Sequence, residues 1–219
     1  MNPYAIIFDM DGVICHTNPY HSDAFKTFFD KRQIPYTEQE LRDHMFGKHN
    51  SYILSYFMKR EIAGEELLML EQEKESLFRE IYADHVETIP SFMTLLEELK
   101  KASFKTGVAT SAPYANLELI MGKLGFESLM ESTLSSENVS KHKPDPEVYL
   151  KSAENLAVDP SNCLVFEDSY SGVTAARNAG MKVVGVLSSH TKEELPPCQF
   201  YIHDYHDIDM EKLRDILLS

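Results

Sequence analysis

The sequence predicts an α/β fold: a Rossmann-like parallel sheet with helices on both faces, plus a small all-helical domain. Two patterns predict it. From about Ile89 onward, short apolar runs alternate with stretches of helical period, which is how a parallel sheet covered on both sides is written. Before that point, residues 16–86 carry helical patterning and almost no strand signal. The expected organisation is an α/β core from residues 1–15 and 87–219, with residues 16–86 inserted as a helical domain.

The first element is the apolar run Ala5, Ile6, Ile7, Phe8, read as a buried parallel strand. It stops abruptly at Asp9-Met10-Asp11-Gly12. Two carboxylates beside an apolar wall are costly unless a metal or a substrate uses them. In the insert, Tyr20, Ala24, Phe25, Phe28 and Phe29 share one helical face, and Leu67, Leu70, Leu77, Phe78, Ile81 and Tyr82 another. Pro35-Tyr36-Thr37 and Ile62-Ala63-Gly64-Glu65 read as breaks between helices. An insert at this place in the chain is expected to cover the functional edge as a lid.

Phe92, Leu95, Leu96 and Leu99 then give a helix, and Phe104 to Thr110 a strand. Leu117, Ile120, Met121 and Leu124 give a helix, with Gly125 suited to its C-terminal cap. Thr133 to Ser135 reads as a short strand. Tyr149, Ala153 and Leu156 mark a helix, Leu164-Val165-Phe166 a strand, and Val173, Ala176 and Ala179 a helix ended by Gly180. Val183 to Leu187 is a further strand.

Composition narrows the function. The 219 residues are enough for one sizeable core and a small insert. With 43% hydrophobic and 26% charged residues, the chain has the make-up of a globular protein. A net charge of −14 argues against nucleic acid or an acidic membrane surface as partner, and means that an anionic substrate needs a local cation. No apolar run reaches the length of a membrane span. The first strand begins too early to leave room for a signal peptide. Cys15, Cys163 and Cys198 are odd in number and widely spaced, which suits neither a disulfide framework nor a zinc site, so a reducing cytoplasm is expected. Nothing around Cys15 suggests a reactive thiol.

Four strand ends carry chemistry. They are Asp9-Met10-Asp11-Gly12, Ala109-Thr110-Ser111, Lys141-His142-Lys143-Pro144-Asp145-Pro146, and Glu167-Asp168-Ser169. In a parallel sheet, residues at the carboxyl ends of the strands converge on one edge, where such sheets bind their ligands. Asp9 and Asp168, with Glu167, offer oxygen ligands for a hard cation such as magnesium. The hydroxyl of Thr110, with Ser111 beside it, and the ammonium of Lys143 can hold phosphate oxygens. One carboxylate is then left to attack phosphorus, forming an aspartyl phosphate. Taken singly, Glu167 and Asp168 would also suit a helix N-terminus, and Thr110 and Ser111 a turn.

These four motifs, in order and spacing, resemble those of the haloacid dehalogenase superfamily, in the branch holding β-phosphoglucomutase and related sugar phosphatases. The resemblance implies Asp9 as nucleophile and magnesium ligand. It implies Asp11 as general acid and then general base, binding the metal through its backbone carbonyl. Asp168 would complete the metal site, with Glu167 close by, and Thr110 and Lys143 would bind the phosphoryl group. In the inserted cap it points to Thr17, His21, Lys48, Asn50 and Lys74 as substrate contacts.

The chain departs from its relatives in two places. His16-Thr17 stands where many have Asp-Thr or Asp-Ser. Asn50 stands where β-phosphoglucomutase has an arginine that holds the distal phosphate of a bisphosphate; an amide cannot supply that bidentate charge. The expectation is therefore a magnesium-dependent phosphatase of a small phosphorylated metabolite, sugar phosphates included, acting as a monomer. The alternatives are a phosphohexomutase of the β-phosphoglucomutase type and a catalytically silent binding protein. A dehalogenase fits less well, because that chemistry needs no magnesium and generally lacks the acid at position 11.

Overall fold

The computed structural model describes residues 4–45 and 50–218. The chain divides into two compact units: Met1–His16 with Val86–Ser219, and Thr17–His85.

The first unit is built on six strands: β1 (Ala5–Phe8), β2 (Lys105–Ala109), β3 (Ser132–Leu134), β4 (Cys163–Glu167), β5 (Lys182–Val186) and β6 (Phe200–Ile202). They lie in the order β3-β2-β1-β4-β5-β6, every pair parallel. The first strand is central. Its register pairs Ala5 with both Lys105 and Cys163. All four residues of β1 are fully buried, as a strand covered on both faces should be.

Alternation along β1 sends its side chains into two cores. Ala5 and Ile7 join Val165, Val183, Tyr149, Ala153, Val173 and Ala176. Phe8 lies in an aromatic cluster, stacked on Phe166 at 5.1 Å and edge-on to Phe92 at 5.2 Å, with Tyr205 against both Phe92 and Phe166. The helices that line these cores in this unit are numbered after those of the second unit.

That second unit holds α1 (Asn18–Lys31), α2 (Glu38–His44), α3 (Asn50–Met58) and α4 (Gly64–Tyr82). Ala24, Phe25, Phe28 and Phe29 of α1 are buried, as are Leu70, Leu77, Phe78 and Tyr82 of α4. Leu67 and Ile81 are only half-buried. Thr37 and Glu40 cap α2 reciprocally, each side chain bonding the other's backbone N–H at 3.1 and 2.8 Å.

The first unit continues with α5 (Phe92–Lys101), α6 (Tyr114–Leu124), α7 (Glu147–Leu156), α8 (Tyr170–Asn178) and α9 (Met210–Leu218). Gly125 ends α6 in the left-handed region at φ 71°. Two elements have no counterpart in the sequence reading. One is β6, three residues long and too short for periodicity to mark. The other is α9, whose Leu213, Ile216 and Leu217 do follow a helical period. No helix among the described residues is long and apolar enough to cross a membrane.

Candidate active site

The carboxyl ends of β1, β2 and β4 carry the site. Asp9 follows β1 directly, and its N–H extends the ladder to the carbonyl of Phe166 at 3.0 Å. The chain then turns sharply. Gly12 takes φ 73°, the Gly12 N–H bonds the carbonyl of Cys15 at 2.8 Å, and the buried hydroxyl of Tyr205 bonds that of Val13 at 3.0 Å. This turn holds Asp11 half-buried near Asp9.

Lys143 is not at a strand end, as the sequence suggested, but reaches this point from the loop preceding α7, its long side chain spanning the gap. Its ammonium donates to Asp9 Oδ1 at 2.7 Å, to Glu167 Oε1 at 2.8 Å and to the carbonyl of Ala109 at 3.1 Å, and lies 4.8 Å from the centre of the Tyr149 ring. One buried cation thus ties together the ends of β1, β2 and β4. Burial alone would lower its pKa, but the Asp9 and Glu167 carboxylates override that and keep the ammonium charged, well above its ordinary range.

Glu167 is fully buried at the end of β4 and its oxygens are occupied. Lys143 and the Tyr149 hydroxyl, at 3.0 Å, donate to Oε1; the Ser169 N–H and hydroxyl donate to Oε2 at 2.9 and 3.0 Å. Burial and the Glu167 charge push the Tyr149 phenol well up, so it stays a donor. Gly172, in α8, permits this packing: a Cβ there would stand 1.5 Å from Glu167 Oε1. Glycine is required for space here, independently of backbone angle.

Asp168 comes next, buried. Its Oδ2 accepts from the Ser189 hydroxyl, with the Ser188 oxygen 3.4 Å away, while its main-chain carbonyl accepts from His190 Nδ1 at 2.9 Å. A Cβ at Gly12 would lie 2.0 Å from the same Oδ2.

Thr110, also buried, continues β2 by bonding the carbonyl of Leu134 at 2.9 Å. Its oxygen accepts the Ala112 N–H at 3.0 Å, which leaves the hydroxyl proton to donate. Ser111 beside it is exposed.

Carboxylate oxygens of Asp9, Glu167 and Asp168 lie within 4.8 Å of one another. Three acids therefore face one ammonium. Burial above all, then Glu167 and Asp11, raises the Asp9 carboxyl to about 7 despite Lys143; burial, then Glu167 and Asp9, raises Asp168 well above its ordinary value. A buried set of oxygen donors with excess negative charge, free of sulfur and imidazole, fits a hard divalent cation.

The substrate contacts expected in the insert fall within the helical unit, with Lys48 outside the described residues. Thr17 is buried just before α1, and the N–H groups of Tyr20 and His21 bond its carbonyl, each at 3.0 Å. His21, Lys74 and Asn50 meet in one cluster. Lys74 Nζ bonds His21 Nδ1 at 3.0 Å and Glu75 Oε1 at 2.6 Å, and Asn50 Nδ2 reaches the same oxygen at 3.4 Å. His21 is stacked on Phe78, with ring centres 3.8 Å apart.

Several residues of these sites escaped the sequence reading as site residues: Tyr149, Ser188, Ser189, His190 and Glu75. A signal existed for Ser188 and Ser189. They follow a strand whose carboxyl end lies on the same edge as the others, yet two serines after a strand look like an ordinary turn.

Comparison with known proteins identifies the family. A family model described as haloacid dehalogenase-like hydrolase matches residues 6–186. The chain is 31% identical over 186 residues to a phosphorylated carbohydrates phosphatase of Thermotoga maritima, covering 84% of this chain and 86% of that protein. It is 29% identical over 191 residues to a β-phosphoglucomutase of Bacillus subtilis, covering 83% and 82%. Among solved structures, a HAD hydrolase of family IA, variant 3, from Entamoeba histolytica superposes with a TM-score of 0.92 over 100% of both chains at 28% identity. With the family model matched over most of its length, this chain belongs to the haloacid dehalogenase-like hydrolases.

Proposed function

We propose that this chain is a magnesium-dependent phosphatase of small phosphorylated metabolites, sugar phosphates among them, working through an aspartyl phosphate on Asp9. The observation that carries the reading is the buried meeting of Asp9, Lys143, Glu167 and Asp168 beside Thr110. The similarity to a phosphatase of phosphorylated carbohydrates supports the substrate class.

The chemistry follows from the residues. An oxygen of Asp9 attacks phosphorus and the bond to the leaving alcohol breaks. Asp11, in its acid form, hands its proton to that alcohol oxygen. Lys143 and the Thr110 hydroxyl hold the transferring oxygens, with Ser111 alongside. Asp11, now a base, takes a proton from water as the water oxygen attacks the phosphoryl group, which leaves as inorganic phosphate and frees Asp9. Asp9, Asp168 and the backbone carbonyl of Asp11 would hold magnesium, with Glu167 beside them fixing Lys143. When bound, the ion neutralises the charge that would otherwise keep a carboxylate from a phosphate ester.

In the helical unit, Thr17, His21, Lys48, Asn50 and Lys74 are assigned to the alcohol part of the substrate. The chain is taken to be a monomer, working in the cytoplasm, with no nucleic-acid partner. The three free thiols suit that compartment.

A screen of small phosphate esters with and without magnesium tests the reading. Phosphate release should require the metal, and Asp9→Asn should lower it by about 10⁴-fold or more. Turnover that persists in that variant would sink the nucleophile assignment. The similarity to a β-phosphoglucomutase keeps a second reading in play. With β-glucose 1-phosphate and a bisphosphate primer, glucose 6-phosphate as the main product would favour the mutase, and inorganic phosphate the phosphatase.

A further inference from the structure

Asp168 is held in an uneven way. Two hydroxyls and a glycine crowd its Oδ2. The Ser189 hydroxyl donates to that oxygen, the Ser188 hydroxyl lies 3.4 Å from it, and the Cα of Gly12 packs so close that a Cβ would come within 2.0 Å. The Ser188 hydroxyl also donates to the carbonyl of Gly12 at 2.5 Å and sits 3.4 Å from that of Ser189. Behind them, His190 Nδ1 donates to the Asp168 carbonyl at 2.9 Å, fixing the backbone on the far side. The three residues run consecutively after β5, so one short segment grips both the side chain and the main chain of Asp168.

This grip has a consequence for the cation. With Oδ2 held by the Ser189 hydroxyl and packed against Gly12, which Ser188 fastens through its carbonyl, Oδ1 is the oxygen left for an ion shared with Asp9. One-oxygen ligation suits magnesium, which demands near-octahedral geometry and keeps several waters. Calcium accepts both oxygens of a carboxylate and six to eight ligands in all. Hydrogen bonds behind a ligand are also what fixes its direction and tunes affinity. The Gly12 contact extends the effect, because Ser188 ties the segment after β5 to the turn that carries Asp9 and Asp11.

We propose that Ser188 and Ser189 are positioning residues that hold Asp168 as a one-oxygen ligand, and that they select magnesium over calcium. The proposal rests on Asp9 and Asp168 being the metal ligands, as assigned above. It predicts that Ser188→Ala with Ser189→Ala frees Oδ2, weakens magnesium binding by about tenfold, and weakens calcium binding less or tightens it. Ser189→Thr keeps the hydroxyl and should keep the wild-type preference.

The test is calorimetric titration of each purified protein with magnesium chloride alone and with calcium chloride alone, alongside urea denaturation. A magnesium-to-calcium preference that falls about tenfold in the double variant and is retained in Ser189→Thr supports the proposal. An unchanged preference overturns it. So does an equal loss for both ions, which would report a damaged site. If the double variant does not fold, Ser189→Ala is read in its place by the same criteria. Phosphate release by the wild type is measured separately. A wild type that releases none yet shows the predicted calorimetric shift would overturn the phosphatase reading and still support this one.

Discussion

The two units each bury a cluster of charge, and the clusters are balanced differently. In the α/β unit, Asp9, Glu167 and Asp168 share one ammonium, that of Lys143, and all four residues are at most 6% exposed. In the helical unit, Lys74 and Glu75, at 3% and 5%, form a single pair bordered by His21 and Asn50. The first cluster carries more negative charge than its own residues can neutralise. In the second, the ammonium meets a carboxylate directly. Burial of unbalanced charge is too costly to be retained as scaffolding, so the first cluster is shaped for cations and phosphoryl chemistry. The second presents an ammonium already matched by a carboxylate, suited to hydroxyls better than to a second phosphate.

Removing one charged partner from each cluster should sharpen that contrast. Lys143→Met leaves three buried acids with no counter-charge and should destabilise the protein by about 4 kcal/mol, measured by urea denaturation in the absence of metal. Saturating magnesium should recover much of the loss, because it binds only the folded state. In the helical unit, Glu75→Gln strands Lys74 but keeps a hydrogen-bond acceptor, so the cost should be nearer 2 kcal/mol. Magnesium should recover none of it. Equal costs in the two units, or rescue by magnesium in both, would break the comparison.

The smallest effect belongs to an acid outside both clusters. Glu147 begins α7 and fastens the loop that leads to Lys143, accepting from the N–H groups of Ser140 at 3.0 Å and Lys141 at 2.8 Å and pairing with Lys151 at 2.7 Å. The bond to Lys151 first, then the two N–H groups, lower its pKa to about 2 from an ordinary 4.5. A lowered folded-state pKa gives stability that is present above pH 4.5 and fades as the pH falls toward 2. Glu147→Gln should therefore be less stable than the parent at pH 6, and the gap should narrow steadily below pH 4.5 in pH-dependent thermal melts.

These comparisons show what the sequence makes legible. The central strands could be read because they are apolar along their whole length, Asp9 and Asp168 because acids at strand ends are chemically conspicuous, and Lys143 because it stands in a distinctive Lys-Pro-Asp-Pro run. The supporting residues could not. Gly172 matters only because Glu167 packs against it, and Ser188 only because Asp168 and Gly12 are brought to it by tertiary contact. Glu75 reads as one more acid on an acidic helix until the fold buries it with its neighbour Lys74. β6 was hidden for a simpler reason, since three residues carry no period.

The register of β1 has a consequence for biosynthesis. Ala5–Phe8 is translated well before its partners, which begin at Lys105 and Cys163, and all of its pairing is long-range. A fully apolar strand therefore waits, both edges open, until the residues of β2 and β4 have emerged from the ribosome, and in that interval it is exposed to misassociation. Asp9 meets Lys143, Glu167 and Asp168 only once the slowest pairings have closed. Turnover by this protein would accordingly double as a reporter of finished folding, silent in truncated or half-folded chains.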